Sequence, residues 1–225
     1  MSLQTLSRGL RVLEIVAEKE EGLTIAEIAE ALGVHRAIAY RLVSTLEEHL
    51  LVSRSRAGRI SLGGGIVALA SRVEPQLRAR VRPHLQDLAE RTGATAFFCV
   101  GHGSECVAVQ VAEPEGMLLG VSYRVGSRHP LSRGAAGLAI AALRQEQDED
   151  TDALKTVRRD GYAVTRGELQ AGAVGVAAPI RAPQGADLHL EACVGVVALQ
   201  DLDIDRAAEA SCDCARRIAE NVGGD

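Results

Sequence analysis

Over its first fifty residues the chain alternates apolar and polar positions with a helical period. Leu6, Leu10, Leu13 and Val16 or Ala17 recur at that spacing, so residues 5 to about 20 are predicted to form an amphipathic helix. The EEGLT stretch breaks it. Thr24, with Glu27 three residues on, has the form of a capping box and opens a second helix running to about Ala31. Gly33 supplies a turn, and a third helix is predicted from about His35 to His49. At about 100° per residue, Ile38, Ala39, Leu42, Val43, Leu46 and Leu50 share one arc of about 140°. Arg36, Ala37, Tyr40, Arg41, Ser44 and Glu48 occupy the opposite arc.

Next come LLVSRS and RISL, two short β-prone runs around RAG, which predict a hairpin with Arg56 near its tip. Three helices and a hairpin over residues 1–64 make a winged helix-turn-helix. A linker helix is predicted over 65–82, free to pair with its copy in a second subunit. Pro83 is placed in the first turn of the helix that follows, where its missing N–H is harmless. From Ala94 the period changes. ATAFFCVG, CVAVQVA, MLLGVSY, YAVT, GVAAPIR and CVGVVALQ read as strands. Helical stretches lie around 132–146 and 150–160, and a closing helix runs from about Ile204 to Asn221, with Ile204, Ala207, Ala208, Cys212, Ala215, Ala219 and Val222 along one side. Residues 83–225 therefore read as an α+β domain with an antiparallel sheet. The charged run RQEQDEDTD at 144–152 reads as a surface loop or helix end.

At 225 residues the chain is long enough for two domains of the common size, about 100–150 residues. Apolar residues make up 47% but aromatic ones only 2%, so the core must come from Ala, Val, Leu and Ile. The most apolar run, AAGLAIAAL at 135–143, is half of the roughly 18 residues a membrane span needs. No secretory apolar block opens the chain. The expectation is a cytoplasmic protein with no membrane partner. Its five cysteines, Cys99, Cys106, Cys193, Cys212 and Cys214, include no CxxC pair and read as small buried hydrophobes. His102 with Cys106, and His189 with Cys193, have tolerable metal spacing, but no third or fourth ligand stands out. GxSxG, Walker and HExxH motifs are absent, and the GGG at 63–65 lacks the rest of a nucleotide fingerprint. No catalytic residue, cofactor or metal is expected, and the chain does not read as an enzyme.

Charge changes the picture. The formal net charge is −5, which argues against a general polyanion binder. It is segregated, however: Arg36, Arg41, Arg54, Arg56 and Arg59 face only Glu47 and Glu48 in the same stretch, and the other acids of the first 65 residues precede Arg36. A helix fits the major groove of double-stranded DNA, and the N-terminal half of the second helix of a helix-turn-helix enters it. His35, Arg36, Ala37, Tyr40, Arg41 and Ser44 are the candidate DNA-binding residues there. Arg54, Arg56 and Arg59 of the wing would lie near the sugar-phosphate backbone or the minor groove, positioning without reading sequence.

The stretch LSRGLRVLEIVAEKEEGLTIAEIAEALGVHRAIAYRLVSTLEEHLLVSRSRAGRISLG resembles the N-terminal domain of the IclR-type bacterial transcriptional regulators. The resemblance continues through RPHLQDLAERTGATAF, YRVGSRHPLSRGAAGLAIAAL and GYAVTRGELQAGAVGVAAPI. It implies a dimer or dimer of dimers on a palindromic operator, and a GAF-like C-terminal domain that binds a small metabolite. Ser132 and Leu138 stand where the family has His and Lys, and Thr165 and Gly175 replace its usual acidic residue and Cys. With polar contacts thinned, the implied effector is a small organic molecule with a large apolar part.

For such a pocket, Met117, Leu119, Val121 and Tyr123 share one face of the presumed strand, and Ser132 reads as the N-cap of the next helix. The free N–H groups of that helix favour an anion, and Gly134, Ala135 and Ala136 permit close approach. Arg124, Arg128 and Arg133 are available to capture a carboxylate. By resemblance, Gly175, Val176, Ala177 and Ala198 complete the wall, and Thr165 is counted among the effector-binding candidates. The leading expectation is a ligand-responsive regulator that acts as repressor or activator. Its alternatives are a metabolite-binding protein whose winged domain only oligomerises, and a metal or redox sensor.

Overall fold

The computed structural model describes residues 3–71, 75–116, 121, 123–181, 190–199 and 202–222. Two compact units divide at Pro75 and Gln76.

The first unit contains α1 (Gln4–Ala17), α2 (Ile25–Leu32), α3 (Arg36–Glu48), β1 (Val52–Arg54), β2 (Ile60–Leu62) and α4 (Gly64–Ala70). The capping box at α2 is present: the Glu27 N–H donates to Thr24 Oγ1, and Glu27 accepts from the Thr24 N–H at 2.7 Å. Gly33, left-handed at φ 63°, closes α2. Val12, Ile28, Val43 and Ile60 are fully enclosed in the core that the three helices and the hairpin share. Two sequence-based stripes are rotated. Helix α1 buries Gly9, Val12, Ile15 and Val16, whereas Leu6 is 61% and Leu10 52% exposed. On α3 the buried residues are Ala39, Leu42, Val43 and Leu46; Ile38 is 38% exposed, and Leu50, left-handed at φ 58°, is 67% exposed.

β1 and β2 pair antiparallel from Val52 opposite Leu62 to Arg54 opposite Ile60, with Arg56 in the turn between them. The hairpin is tied to the turn before α2. Leu23 and Ile60 exchange backbone hydrogen bonds of 2.9 and 2.7 Å. Arg59 donates from Nε to the Glu21 carbonyl and from Nη2 to the Gly22 carbonyl, each at 2.9 Å. The GGG run has a packing explanation: a Cβ on Gly63 would sit 2.2 Å from the Leu50 carbonyl oxygen.

The second unit begins with α5 (Pro75–Thr92) and continues through β3 (Thr95–His102), β4 (Glu105–Ala112), β5 (Arg128–Pro130), α6 (Gly134–Ala141), α7 (Asp152–Asp160), β6 (Ala163–Arg166), β7 (Ala173–Pro179), β8 (Ala192–Leu199) and α8 (Ile204–Val222). Six strands form one antiparallel sheet in the order β5-β4-β3-β8-β7-β6. Strand alternation divides its side chains between two layers. Ala96, Phe98, Val176, Val194 and Val196 pack with α5 and α8, while Phe97, Cys99, Ala177 and Cys193 pack with α6. This is the α+β architecture expected for the region.

Several expectations change. Pro83 does not start a helix; α5 runs through it and begins instead at Pro75. The predicted 65–82 linker helix falls into α4 and the first turns of α5, with 72–74 outside the described residues. Of the presumed strand MLLGVSY, residues 117–120 and 122 lie outside the described residues, and Val121 and Tyr123 are not in a strand. The 144–152 run is only partly surface: Arg158 bonds the Asp150 carboxylate at 3.0 Å in a largely buried pair. Cys99, Cys106, Cys193 and Cys214 are buried and Cys212 half-buried, all free, as their reading as small hydrophobes requires. Among the described residues, no helix is long and apolar enough to cross a membrane.

Candidate nucleic-acid interface and effector pocket

Helix α3 buries one side, so its remaining side chains must face outward. His35 caps the helix without a side-chain bond, and His35, Arg36, Ala37, Tyr40 and Arg41 are exposed, with Ser44 half-buried. The predicted arginines separate into two groups. Arg36, Arg41 and Arg56 are exposed and have no carboxylate partner among the described residues. Arg54 and Arg59 are engaged within the fold. Arg54 makes a two-pronged bond to Glu47, with Nε at 3.2 Å and Nη2 at 2.9 Å, and its guanidinium lies 5.7 Å from the Tyr40 ring centroid. It thereby orients a neighbour on the outer face of α3. Arg59 holds the hairpin, as described above. Ile38 was missed by periodicity. It joins Arg36 and Arg41 outside, where an apolar side chain can meet a thymine methyl.

In the second unit a cavity of about 250 Å³ lies between the sheet and α6. Val121, Tyr123, Ala135, Ala136, Thr165 and Gly175 line it as expected from the sequence. Val176 and Ala198 do not: each follows a lining position by one residue, and strand parity turns both to the α5–α8 layer. Met117 and Leu119 lie outside the described residues. Ser132 is exposed and caps nothing; the N-cap of α6 is Arg133. Gly134 opens the helix at φ 73°, and its N–H donates to Glu168 Oε2 at 2.7 Å. A Cβ there would meet Leu169 Cδ1 at 2.7 Å.

Phe97, His129, Glu168 and Val197 also line the cavity and were not foreseen. Phe97 and Val197 could have been found from strand parity once Gly175 was placed. His129 sits in the three-residue β5, too short to give a period. The Phe97 and Tyr123 rings are tilted with centroids 5.1 Å apart. Behind them lies a buried polar chain. Tyr123 Oη is 3.3 Å from Cys99 Sγ and 3.4 Å from His129 Nε2, and that nitrogen is 3.2 Å from Cys106 Sγ. Burial pulls the His129 pKa down, but the contacts with Cys106 and the Pro130 carbonyl outweigh it and leave the imidazole raised. Burial holds the Cys99 thiol well above its ordinary value, and contact with Cys99 raises Cys106 further. These are protonated thiols at neutral pH, poor nucleophiles and poor metal ligands. Among the described residues, no group of three or more His, Cys, Asp or Glu is placed to hold a metal ion.

A model of the IclR helix-turn-helix domain matches residues 5–56. The chain is 28% identical over 201 residues to the HTH-type transcriptional regulator Rv1719 of Mycobacterium tuberculosis, covering 80% of this chain and 77% of that protein. It is similar in structure to an IclR transcriptional regulator from Alicyclobacillus acidocaldarius, with a TM-score of 0.78, 25% identity, and 98% of this chain and 99% of that one covered. An IclR homolog from Microbacterium hydrocarbonoxydans, complexed with 4-hydroxybenzoate, shares the fold with a TM-score of 0.79 at 22% identity, covering 97% and 98%.

Proposed function

We propose that the chain is a transcriptional regulator of the IclR type, and that its α3 face reads a palindromic operator as a dimer or dimer of dimers. The observation that carries the proposal is the pair Arg36 and Arg41, exposed on the outer face of α3 without an internal carboxylate. A guanidinium in the major groove makes a paired bond to guanine or clamps a phosphate. Arg56 at the hairpin tip would add a backbone contact. Arg54 keeps Tyr40 in place, and Arg59 keeps the hairpin in place.

Self-association is supported by an apolar stripe that α1 leaves exposed, Leu3, Leu6 and Leu10, and by exposed Val67 and Leu69 on α4. A two-fold assembly matches a two-fold operator. The cavity under α6 is concave and mostly apolar, as small-molecule sites are, with room for a small ligand. The 4-hydroxybenzoate complex of the Microbacterium homolog supports a small organic effector here. Occupancy of the cavity would alter operator affinity, in the cytoplasm where such a regulator meets DNA.

The test is a gel-shift titration against DNA flanking the protein's own gene, at several salt concentrations. Arg36→Ala with Arg41→Ala is expected to weaken binding on the order of 100-fold and to flatten the salt slope by about 2, with an unchanged melting profile. Undiminished binding by the folded double variant would remove α3 as the reading helix. Absence of binding by the wild type at low salt would favour a winged unit that serves only in oligomerisation.

A further inference from the structure

We propose that the outer face of α3 divides its labour: Arg41 reads a guanine and Ala37 the methyl group of a nearby thymine, while Arg36 clamps a phosphate on the hairpin side. This rests on the reading of α3 above and assigns its parts.

Burial fixes which way the helix faces. At about 100° per residue, the buried Ala39, Leu42, Val43 and Leu46 cluster around one direction. Ala37 points within about 10° of the opposite direction, and Arg41 and Ser44 within about 30° of it. Tyr40 is about 70° off and Arg36 about 110° off. The hairpin marks the sides. Glu47 accepts the two-pronged bond from Arg54 of β1, and the Arg54 guanidinium lies 5.7 Å from the Tyr40 ring centroid. Tyr40 and Glu47 therefore lie on the flank of α3 that faces the hairpin. Arg36, one turn before Tyr40 on the same line, belongs to that flank.

These directions separate the contacts with a duplex. A helix in the major groove brings the side farthest from its own core closest to the base edges, and its N-terminal half does the reading. Ala37, exposed and in the first turn, meets both conditions. Its methyl has no hydrogen bond to offer and can only pack, and the apolar group that bases present in that groove is the C5-methyl of thymine. Arg41 follows one turn later on the same line, exposed and without a carboxylate partner among the described residues. Its fork of donors matches guanine O6 and N7. Four residues of helix rise about 6 Å and base pairs stack about 3.4 Å apart, so the guanine and the thymine should lie about one to two steps from each other. Arg36 points instead toward the hairpin, where a guanidinium meets the sugar-phosphate backbone. Such a contact holds the duplex without reading it.

The full-length protein is first used to select duplexes from a randomised pool. Fluorescence anisotropy at fixed salt then compares a selected duplex with an unrelated one. In the wild type, uracil in place of the half-site thymine removes only the methyl and should weaken binding about threefold. Replacing the guanine by 7-deazaguanine removes N7 and should weaken it about tenfold. Ala37→Gly should lose the difference between thymine and uracil. Arg41→Ala should lower the preference for the selected duplex about tenfold or more, whereas Arg36→Ala should weaken both duplexes by one factor and leave the preference intact. Selected half-sites without a thymine near a guanine would overturn the proposal, as would uracil or 7-deazaguanine that does no harm in the wild type. A thymine–uracil difference that persists in Ala37→Gly would hand the methyl to Ile38 and overturn it too, and so would Arg36→Ala relaxing base choice while Arg41→Ala does not. The wild-type measurements decide alone if a variant does not fold. Failure of the wild type to select any duplex is a different result: it removes α3 as a reading helix, and this assignment with it.

Discussion

The outer face of α3 and the wall of the α6 cavity are both candidate recognition surfaces, but they are built in opposite ways. The α3 face is one helix, its residues within ten positions of each other, displayed because the other side is buried. The cavity wall gathers Phe97, Tyr123, His129, Ala135, Thr165, Gly175 and Val197 from separate strands, loops and one helix. A local surface follows from a period of 3.6. A gathered one follows from strand pairing and parity, which no single segment contains. The first kind tolerates a change in neighbouring elements so long as its own helix stays packed; the second depends on every segment that contributes.

That contrast can be broken most severely through the core of the first unit. Ile28, on α2, is fully buried in the core of the first unit. Ile28→Ala should cost about 2–5 kcal/mol and melt the operator-binding unit. Small-molecule binding at the cavity should survive in the same sample, read by thermal denaturation alongside calorimetry. Loss of both activities together would mean that the two units do not fold independently.

A smaller effect sharpens the parity argument. Gly175 and Val176 are neighbours on β7 that face opposite layers. A Cβ at Gly175 would already touch the Ala135 Cβ at 3.4 Å, so Gly175→Val should fill the cavity and abolish ligand binding, at a stability cost of about 1–3 kcal/mol. Val176→Ala should lower stability by about 1–2 kcal/mol and leave ligand affinity unchanged. The reverse pattern would put the cavity on the wrong side of the sheet.

The smallest expected effect lies at the start of α2. Thr24→Ala should cost about 1 kcal/mol, a few degrees in the melting temperature of the first unit. Hydrogen bonds from Thr24 hold the Glu27 pKa below its ordinary 4.5. A depressed carboxylate contributes stability that is present above its unfolded pKa and lost as pH falls through the lower folded one. The melting difference between wild type and Glu27→Gln should therefore be larger at neutral pH than in strong acid.

Much of the first unit was legible in the sequence. The Thr24–Glu27 box, the Gly33 turn, the two-faced α3 and the hairpin around Arg56 are all short-range signals. The rotated stripe on α1 was not, because Leu6 and Leu10 satisfy a helical period whether they face the core or a surface. Ile38 and Leu50 misled for a related reason: a wheel assigns both to the apolar arc, but Ile38 sits at the edge of the face that Ala39, Leu42, Val43 and Leu46 bury, and Leu50 lies past the end of α3 in a left-handed turn. In the second unit the strands were visible but their pairing was not. Val176 and Ala198 were thus placed on the wrong layer, and β5 escaped notice. Ser132 had the residue type of a cap. The group that meets the helix start is Glu168, 34 residues away from Gly134, brought there by a loop whose closure depends on tertiary contact.

The bond pair from Arg59 to the Glu21 and Gly22 carbonyls has a mechanical meaning. It anchors the base of the hairpin to the same body that carries α3, leaving the tip at Arg56 as an outrigger at fixed span. A duplex whose grooves differ in width cannot be matched by swinging that outrigger alone. The adjustment must come from bending the DNA or from moving the whole body, and Arg59→Ala should loosen discrimination between such duplexes before it weakens attachment to any of them.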